Sequence, residues 1–592
     1  MKISILLKNI KNVFRLCLKE NRKYLVFSLF QIISISINPF ITSIFMKYFI
    51  DGLSVGMGFS YILKLVLIMI GLRIVFETMA IVSNGFTKLH AKGMMVPMAA
   101  LFCKQAVEMD YENTCDPKIL EEVNRASTVL LNGDNLEQYL DAVNGIIIAI
   151  IQIASTIFII TSLSPIILLV TFLVSVVVTG VQIILQQKNY NWYRKGVPVN
   201  RRWHYILNLA IDIIYGKTVR VYQLKEFIMS RSKKNRQEAF QILKKTIHNN
   251  IAGSSICLAL DIVQTFFILM WLIFSVIGNV ITIGSFVLLL NFAQQFSKSL
   301  LTLSNRLIDL YKNDNYINDF FVFINRKNRL QQHSDSQVPI PKEPSVLEFK
   351  NVSFKYPYSD RYVLKDVNLC IQPGEHIMIV GENGSGKTTL VKLLLRLYDV
   401  EEGEILYNGV NIKDYSYNEY LKMFATVFTD YQIFALSVYE NIVFQVKYDH
   451  LKTRVDHILE KIGLNEKINS LPSQGETVLS HLFEDDGISL SGGEMQKLAF
   501  ARSLYREGNI QILDEPTASL SPLAESELYE QFNRLLKDKT SIFISHRLSS
   551  NKICDKICVL ENGLIAEYGT HKELLEQGGI YSTMFRVQSQ YY

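Results

Sequence analysis

The first half of the chain carries long apolar stretches, and this pattern limits the possible fold more than any other feature. Six stretches lie near residues 24–50, 59–84, 140–162, 165–186, 252–278 and 282–304. A helix that crosses the hydrocarbon core of a bilayer needs ~20 mostly apolar residues, so each stretch is long enough to span a membrane. The sequence therefore predicts six transmembrane helices, which excludes a purely soluble protein.

The connections between these stretches predict their orientation. Asp51–Gly58, Ser162–Pro165 and Gly278–Thr282 are short, whereas the connections near residues 85–139 and 187–251 are long. The second long connection is rich in Lys and Arg, which accumulate in cytoplasmic loops. We therefore expect the short connections outside and the long ones inside, where their apolar periodicity favours helical continuations of the spans.

The composition divides the chain into segments. Residues 1–23 carry seven Lys and Arg against one Glu, with apolar residues at helical spacing, as in an amphipathic segment on an anionic inner membrane surface. Three prolines in residues 327–345 are typical of a linker, and beyond it strand and helix patterns alternate. We predict an N-terminal segment 1–23, a membrane domain 24–325, a linker 326–345 and an α/β domain 346–592.

The net charge and the cysteine content indicate which partners and which redox compartment to expect. A net charge of +6 is modest for 592 residues, so no nucleic-acid partner is expected. The seven cysteines show no paired CxxC spacing, which favours buried or incidental thiols in a reducing compartment. The expected non-protein environment is the lipid bilayer.

A Gly-rich segment in the α/β domain predicts a phosphate-binding loop. GENGSGKTTL, Gly381–Leu390, follows the apolar run His376–Val380, which reads as a strand, and precedes a helical pattern. Such a loop aims backbone N–H groups and a helix N-terminus at phosphates, while its Lys reaches the outer phosphates and its Thr hydroxyl binds Mg²⁺. Candidate ligands are Gly381, Glu382, Asn383, Gly384, Ser385, Gly386, Lys387, Thr388 and Thr389, with Thr388 also the candidate for Mg²⁺.

Residues suited to ATP hydrolysis surround this loop in the sequence. Asp514 and Glu515 end an apolar strand pattern, where Asp514 suits a water-mediated Mg²⁺ contact and Glu515 suits the general base. His546 ends another strand pattern and can contact the γ-phosphate. Tyr356 follows the first predicted strand and is placed to stack on adenine, although an ordinary strand aromatic is the alternative. Their order predicts one ATP site.

A second motif carries a family resemblance. LSGGE followed by MQKLAFARSL, at Leu490–Leu504, resembles the signature segment of ABC ATPases, and the whole chain resembles a bacterial ABC exporter half-transporter. DYENTCDPKILEEVNRA and YGKTVRVYQL resemble the inner-loop regions that dock onto the ATPase domain. The resemblance implies a polytopic α-helical membrane domain of six spans fused to an α/β P-loop ATPase domain. It also implies a cell-membrane location, with the N-terminus and the ATPase domain in the cytoplasm.

The resemblance also implies a mechanism. In this family two ATPase domains enclose two ATP molecules, each held between the phosphate loop of one domain and the signature of the other. Ser491, Gly492, Gly493 and Glu494 would then contact ATP bound to a partner. The chain holds one phosphate loop and one signature, so a second half-transporter is expected, with ATP and Mg²⁺, for export of a substrate by alternating access.

Three positions depart from the family pattern. Thr429, in VFTDYQIF, stands where the family usually has a Gln that contacts Mg²⁺ and the attacking water, and a Thr hydroxyl could still reach a metal-bound water. Ser521 replaces an Asp, and Glu494 replaces the usual signature Gln, a change expected to be mild. Two interpretations stay open: a working ATPase with local variation, or one half of a heterodimer with unequal ATP sites.

Polar residues inside the predicted spans are candidates for cargo binding, because ionisable groups are costly in a bilayer. They are Arg73 and Glu77 in the second span, Asp261 and Gln264 in the fifth, and Asn291 and Gln294 in the sixth. Bonding between helices or exposure to a water-filled cavity is the alternative. We expect a peptide or an amphipathic small molecule as cargo, with a lipid flippase or an ATP-regulated membrane sensor as alternative functions.

Overall fold

The structure is a computed structural model that describes residues 3–131, 134–328, 338–341, 343–357, 359–481, 485–516, 522–536, 539–545, 551 and 553–590. It divides the chain into two compact units. The first comprises Met1–Val107 and Leu120–Arg326, and the second comprises Glu108–Ile119 and Lys327–Tyr592. The short segment Glu108–Ile119 thus groups with the C-terminal unit. The domain limits at residues 325 and 346 remain predictions.

Long α-helices make up the N-terminal unit. In chain order the first eleven helices are α1 (Ile3–Glu20), α2 (Arg22–Ser54), α3 (Phe59–Gly93), α4 (Met95–Glu108), α5 (Tyr111–Thr114), α6 (Pro117–Leu131), α7 (Asp134–Leu163), α8 (Pro165–Ile211), α9 (Ile213–Val221), α10 (Lys225–Ile277) and α11 (Ile283–Ile324). Of these, α5 lies in the segment that groups with the C-terminal unit. Pro165 is favourable as the first residue of α8, because a first-turn N–H has no helical partner.

The helices agree with the predicted membrane fold. Five described stretches are long and apolar enough to cross a bilayer, namely Arg22–Ser54, Phe59–Glu108, Asp134–Leu163, Pro165–Asn189 and Lys225–Ile277. The sixth predicted span falls on α11, whose 42 residues include Asn291, Gln294, Gln295 and Lys298 among the apolar ones. The helical membrane fold is confirmed, and the count of six spans remains a prediction with which α11 is compatible.

Two helices extend far beyond membrane length. With 47 and 53 residues, α8 and α10 are about 70 Å and 80 Å long at ~1.5 Å per residue, against a hydrocarbon core of ~30 Å. The predicted helical continuation of the second long connection is therefore present. Asp212 begins α9, the short helix between them, by accepting a hydrogen bond from the Ile214 N–H.

Polar side chains join the membrane helices to one another. Asn144 on α7 accepts a 2.8 Å hydrogen bond from Ser28 Oγ and donates to Tyr24 Oη at 3.2 Å and Gln31 Oε1 at 3.3 Å, all three on α2. Small and amide side chains that bond across helices hold bundles together where the hydrophobic effect between helices is weak. These residues therefore have a structural role in positioning α2 against α7.

The C-terminal unit contains two sheets. Its strands are β1 (Leu347–Phe354), β2 (Leu364–Ile371), β3 (His376–Gly381), β4 (Glu402–Tyr407), β5 (Val410–Asn411), β6 (Phe424–Val427), β7 (Ile510–Asp514), β8 (Thr540–Ile544), β9 (Lys556–Glu561) and β10 (Leu564–Gly569). One sheet is antiparallel, in the order β2-β1-β4-β5, and the other has the order β10-β9-β3-β8-β7-β6. Strands β9, β3, β8, β7 and β6 are mutually parallel.

Helices pack around this larger sheet. They are α12 (Lys387–Leu394), α13 (Tyr417–Lys422), α14 (Val438–Val443), α15 (Lys452–Lys461), α16 (Asn465–Asn469), α17 (Gly492–Arg506), α18 (Pro522–Leu535), α19 (His571–Gln577) and α20 (Ile580–Ser589). Alternate residues of β3 face opposite sides: Ile379 packs in the cluster that contains α12, and Met378 packs with Tyr581 of α20. Burial on both faces explains the continuous apolar run of β3, as expected of a parallel sheet.

Three helices of this unit begin with the same N-terminal capping motif. In α14, α17 and α19, an N-cap hydroxyl (Ser437, Ser491 or Thr570) accepts from the N–H of a Glu three residues later, whose carboxylate accepts from the N-cap N–H. These capping boxes satisfy helix N–H groups that otherwise lack partners. The S/T-x-x-E spacing in the sequence therefore determines where these helices start.

Asn441 on α14 is a buried polar centre of the C-terminal unit. Its Nδ2 donates to the carbonyl oxygens of Phe434 and Leu436 at 3.0 Å and of Ser437 at 2.9 Å. The side-chain oxygen accepts from the Phe434 N–H at 3.0 Å and from Arg502 at 2.7 Å. The fully buried amide therefore organises the loop that precedes α14.

Replacing Asn441 with Ala should lower the stability of the C-terminal unit by about 2 kcal/mol or more, because buried carbonyls lose their donor. For a domain of this size that corresponds to a fall in Tm of roughly 5 °C, measurable by calorimetry on the purified full chain. Asn469→Ala is the matched control: its exposed amide bonds Asn465 and no other described residue, so its effect should stay within about 0.5 kcal/mol. Equal effects of the two variants would contradict this role.

Candidate nucleotide site

The phosphate loop lies between β3 and α12, as predicted. Gly381 has φ +156° and Gly386 has φ +109°, and a Cβ at Gly386 would lie 2.6 Å from Leu364 Cδ2. Glycine is therefore required at Gly386 for both space and backbone conformation. Nζ of Lys387 donates to the carbonyl oxygens of Gly381 and Glu382 at 2.9 Å, which places its ammonium against the loop. Burial lowers the pKa of Lys387, while the nearby charges of Glu515 and Asp514 raise it.

The predicted acids lie at the same edge of the sheet. β8 pairs with β3 on one side and with β7 on the other, and Ile544 at its end is opposite both Ile379 and Asp514. Because parallel strands end at one edge, the phosphate loop and Asp514 flank the end of β8. Burial, and then the charge of Glu515, raises the pKa of Asp514 to about 6.

Glu515 has an unusual backbone. Its φ of +49° is in the left-handed region, and its N–H donates to the Ile544 carbonyl at 2.9 Å. Such conformations in residues other than glycine concentrate at functional sites. His546 and Ser521, which the sequence also singles out, lie outside the described residues.

Thr429 also lies at this edge, two residues after the end of β6. Its hydroxyl donates to the backbone carbonyl of Asp514 at 3.1 Å. The side chain that replaces the usual Gln is therefore bonded to the end of β7, beside the candidate Mg²⁺ and base residues. Its role in holding Mg²⁺ remains a prediction.

Tyr356, the predicted adenine-stacking residue, lies in a row of aromatic rings. Its hydroxyl is 2.9 Å from Thr389 Oγ1, and Tyr398 meets it edge to face with ring centroids 5.3 Å apart. Tyr111 of α5 in turn meets Tyr398 edge to face at 5.8 Å. Sequence reasoning did not single out Tyr398, although it comes shortly after the phosphate-loop helix. The row connects the docking segment predicted around Tyr111 with the candidate adenine site.

The signature segment forms the start of α17. Ser491 and Gly492 are exposed, and the carboxylate of Glu494 accepts hydrogen bonds from both the N–H and the hydroxyl of Ser491 at 2.8 Å. The bond from the Ser491 N–H is the main reason why the pKa of Glu494 is lowered. Glu and Gln serve equally in a capping box, which gives the replacement at this position a physical reason.

Arg502, further along α17, is a residue that sequence reasoning missed. Its guanidinium donates to the carbonyl oxygens of Gln432 and Asn441 at 2.6 Å and lies 5.0 Å from the Phe444 ring centroid. Burial lowers its pKa to about 10. On the same helix, Gln496 donates to the Pro516 carbonyl, next to Glu515. The signature helix is thus bonded both to the segment after Thr429 and to the segment after Glu515.

The residues present fit Mg²⁺ that arrives with a nucleotide. Within the described residues, His, Cys, Asp and Glu form no cluster of three or more suited to a resident metal ion. Mg²⁺ in nucleotide sites needs only one or two carboxylates, with waters and phosphates as its other ligands. Asp514 supplies such a carboxylate in a buried position, and the exposed Thr388 supplies a hydroxyl at the first turn of α12.

Among the described residues, no hydrogen bond or ion pair links the cargo-binding candidates on α3, α10 and α11 to one another. Arg73 Nε pairs with Glu77 Oε2 at 3.2 Å on α3, and both side chains are half exposed. On α10, Asp261 is exposed, whereas Gln264 is buried and donates to Ser297 Oγ at 2.8 Å. Asn291 and Gln294 lie on α11. For Gln264 this geometry favours the alternative, bonding between helices.

Comparisons with known proteins agree with this architecture. The family described as ABC transporter matches residues 364–518. The subtilin transport ATP-binding protein SpaT of Bacillus subtilis is 32% identical over 486 residues, which cover 80% of this chain and 76% of that protein. An ATP-dependent lipid A-core flippase of Pseudoalteromonas translucida is 33% identical over 311 residues, so the match spans 52% of each chain.

A solved structure has the same fold over nearly the whole length. It is the structure of a bacterial Atm1-family ABC exporter with ATP bound, with a TM-score of 0.80 at 19% identity, and the match covers 96% of this chain and 98% of that chain. The likeness extends over both the helical unit and the α/β unit. The chain therefore belongs to the family of ABC transporters and has the architecture of its exporters.

Proposed function

We propose that the chain is one half of a dimeric exporter in the cell membrane, in which ATP hydrolysis drives export by alternating access. The observation that carries this proposal is that one sheet edge gathers the phosphate loop, Asp514, Glu515 and Thr429, in a chain whose other unit is a bundle of bilayer-length helices. The basic second long connection supports an orientation with the N-terminus and the ATPase unit in the cytoplasm.

Exposed apolar residues support dimerisation. Phe240, Leu243, Ile247 and Ile251 occupy one face of α10 just before the predicted fifth span and are 47–63% exposed. On α9, Ile213 and Ile214 are more than three-quarters exposed. Contiguous apolar surface in contact with water marks interaction sites, so both helices favour a second chain packed against them.

We assign a role to each residue of the proposed ATP site. The N–H groups of the phosphate loop and the Lys387 ammonium would bind the outer phosphates, with Tyr356 against adenine. Glu515 would polarise the attacking water as the general base. Thr388 and Asp514, with Thr429, would hold Mg²⁺, which neutralises charge on the transferred phosphoryl group. We keep His546 as the γ-phosphate contact.

The cargo we propose is a peptide or an amphipathic small molecule. SpaT, named for subtilin transport, matches over 80% of this chain, which supports a peptide. The flippase relatives support a lipid, but the match to the Pseudoalteromonas protein spans only 52% of the chain. The longer match makes the peptide the better-supported cargo.

One replacement tests the hydrolytic assignment. The chain purified alone and reconstituted in liposomes should hydrolyse ATP, and Glu515→Gln should lower turnover by about 100-fold or more while ATP binding persists. Glu561→Gln is the matched control, because Glu561 is an exposed acid at the end of the parallel strand β9 and should leave turnover unchanged. Full turnover in Glu515→Gln would show that another group is the base.

The same assay separates the two interpretations of Thr429 and Ser521. Turnover by the chain alone that responds to cargo would exclude an obligate heterodimer. A chain that binds ATP but hydrolyses it only after a different half-transporter is added would favour unequal sites. ATP-dependent uptake into inverted vesicles tests transport itself, and its absence despite hydrolysis would favour an ATP-regulated sensor.

A second replacement tests whether the signature contributes to hydrolysis beyond stabilising its helix. Ser491→Ala and Thr570→Ala each remove an N-cap hydroxyl that accepts from a Glu N–H at 3.4 Å, so each should cost about 1 kcal/mol of stability. Only Ser491→Ala should also reduce ATP turnover, by about tenfold or more, because a hydrogen bond to a phosphate is lost. If both variants reduced turnover equally, the effect would be that of helix capping alone.

A further inference from the structure

A polar cavity in the N-terminal unit is not explained by ATP binding. Its volume is about 770 Å³, and it is walled by α6, α7, α8, α10 and α11. Gln138, Gln186 and Asn250 lie within two residues of the predicted span limits at 140, 186 and 252, and Asp309 follows the limit at 304 by five residues. The cavity is therefore at the ends of the spans that we propose to face the cytoplasm, where a cargo would enter.

The lining has an unusual chemistry for a membrane unit. Of the thirteen described residues that line the cavity, seven carry side-chain amides and none is aliphatic. The four charged residues, Arg125, Lys312, Asp309 and Asp319, include two of each sign. Such a surface selects a ligand that is polar and nearly neutral, since there is no excess charge to attract an ion.

Some of the polar side chains that line the cavity are available to bind a ligand. Asn189 donates to Asn250 Oδ1 at 2.6 Å, so that pair is partly satisfied. Gln138, Gln186 and Lys312 have no hydrogen-bond or ion-pair partner among the residues that the structure describes. These side chains offer both donors and acceptors, and a peptide main chain needs both in equal number.

We propose that this cavity binds an extended segment of a peptide cargo through its main-chain amide groups. The proposal rests on the exporter function above and names the substrate class of that function. A volume of about 770 Å³ lies within the range of roughly 300–1,000 Å³ for ligand sites, so it suits a few residues of extended chain and not a folded protein. An acyl chain would remove water from the amides without replacing its hydrogen bonds, which disfavours a lipid here.

Binding of two synthetic peptides to the full-length chain tests the proposal. In lipid nanodiscs without nucleotide, a fluorescent neutral octapeptide of Ser, Asn and Gly should bind the chain. The same octapeptide with methylated main-chain nitrogens should bind more weakly by about tenfold or more, because its N–H donors are gone. Equal affinity for the two peptides, or no binding of the first by the wild-type chain, would overturn the proposal.

Paired variants locate the site. The double variant Gln138→Leu/Gln186→Leu should lower the affinity for the first octapeptide by about tenfold or more, because these amides have no structural partner to lose. Gln237→Leu/Gln241→Leu makes the same chemical change at exposed positions of α10 and should leave the affinity unchanged. Wild-type affinity in the first double variant, or equal loss in the two, would overturn the assignment.

ATP turnover and ATP-dependent uptake by the same purified wild-type chain, reconstituted in liposomes, separate this proposal from the exporter function. If both are normal but the octapeptide does not bind, the cavity assignment alone is wrong. If uptake fails while binding follows the cavity variants, the exporter function is wrong and the binding site stands.

Discussion

The parallel pairing of β3, β8 and β7 is the interaction on which the candidate ATP site depends. The register places Gly381, Ile544 and Asp514 at one edge, so the phosphate loop and the acids face each other across the end of β8. A slip of one residue in either pairing would turn every side chain of that strand to the other face. The side chains of β3 are buried in apolar clusters on both faces, so a slip would disrupt the packing on both sides. Backbone hydrogen bonds and core packing thus position the catalytic candidates.

Two surfaces of the chain are exposed when the chain is taken by itself. The signature begins α17 with exposed Ser491 and Gly492, and the apolar stripe from Phe240 to Ile251 is exposed on α10. The first lies in the ATPase unit and the second in the helical unit. A second chain would contact both surfaces. A dimer would therefore complete the ATP site and also bury the exposed apolar stripe.

Much of this architecture follows from the sequence because it depends on local rules. Bilayer-length apolar stretches, the glycine spacing of the phosphate loop and the acids that end an apolar strand each depend on chain length or backbone geometry. The contacts of Tyr398 and Arg502 do not, because each joins elements far apart in the chain. The polar cavity could not be predicted for the same reason: its amides come from four helices, whereas the more conspicuous Asp261 and Glu77 are not among its lining residues. Even the assignment of α11 as a span stays open, because its amides lower its hydropathy.

The central claim is that each ATP site is shared between two chains, and site-directed cross-linking tests it most directly. Asn383 and Ser491 are exposed on the phosphate loop and the signature, so Asn383→Cys and Ser491→Cys can be combined in one chain with Glu515→Gln and with Ser in place of the exposed Cys103, Cys115 and Cys370. Oxidation with ATP and Mg²⁺ should yield a product of twice the chain mass, which either single cysteine variant should not form. If the wild-type chain hydrolyses ATP by itself, a cross-link confined to one chain, or none while ATP is bound, would contradict the account.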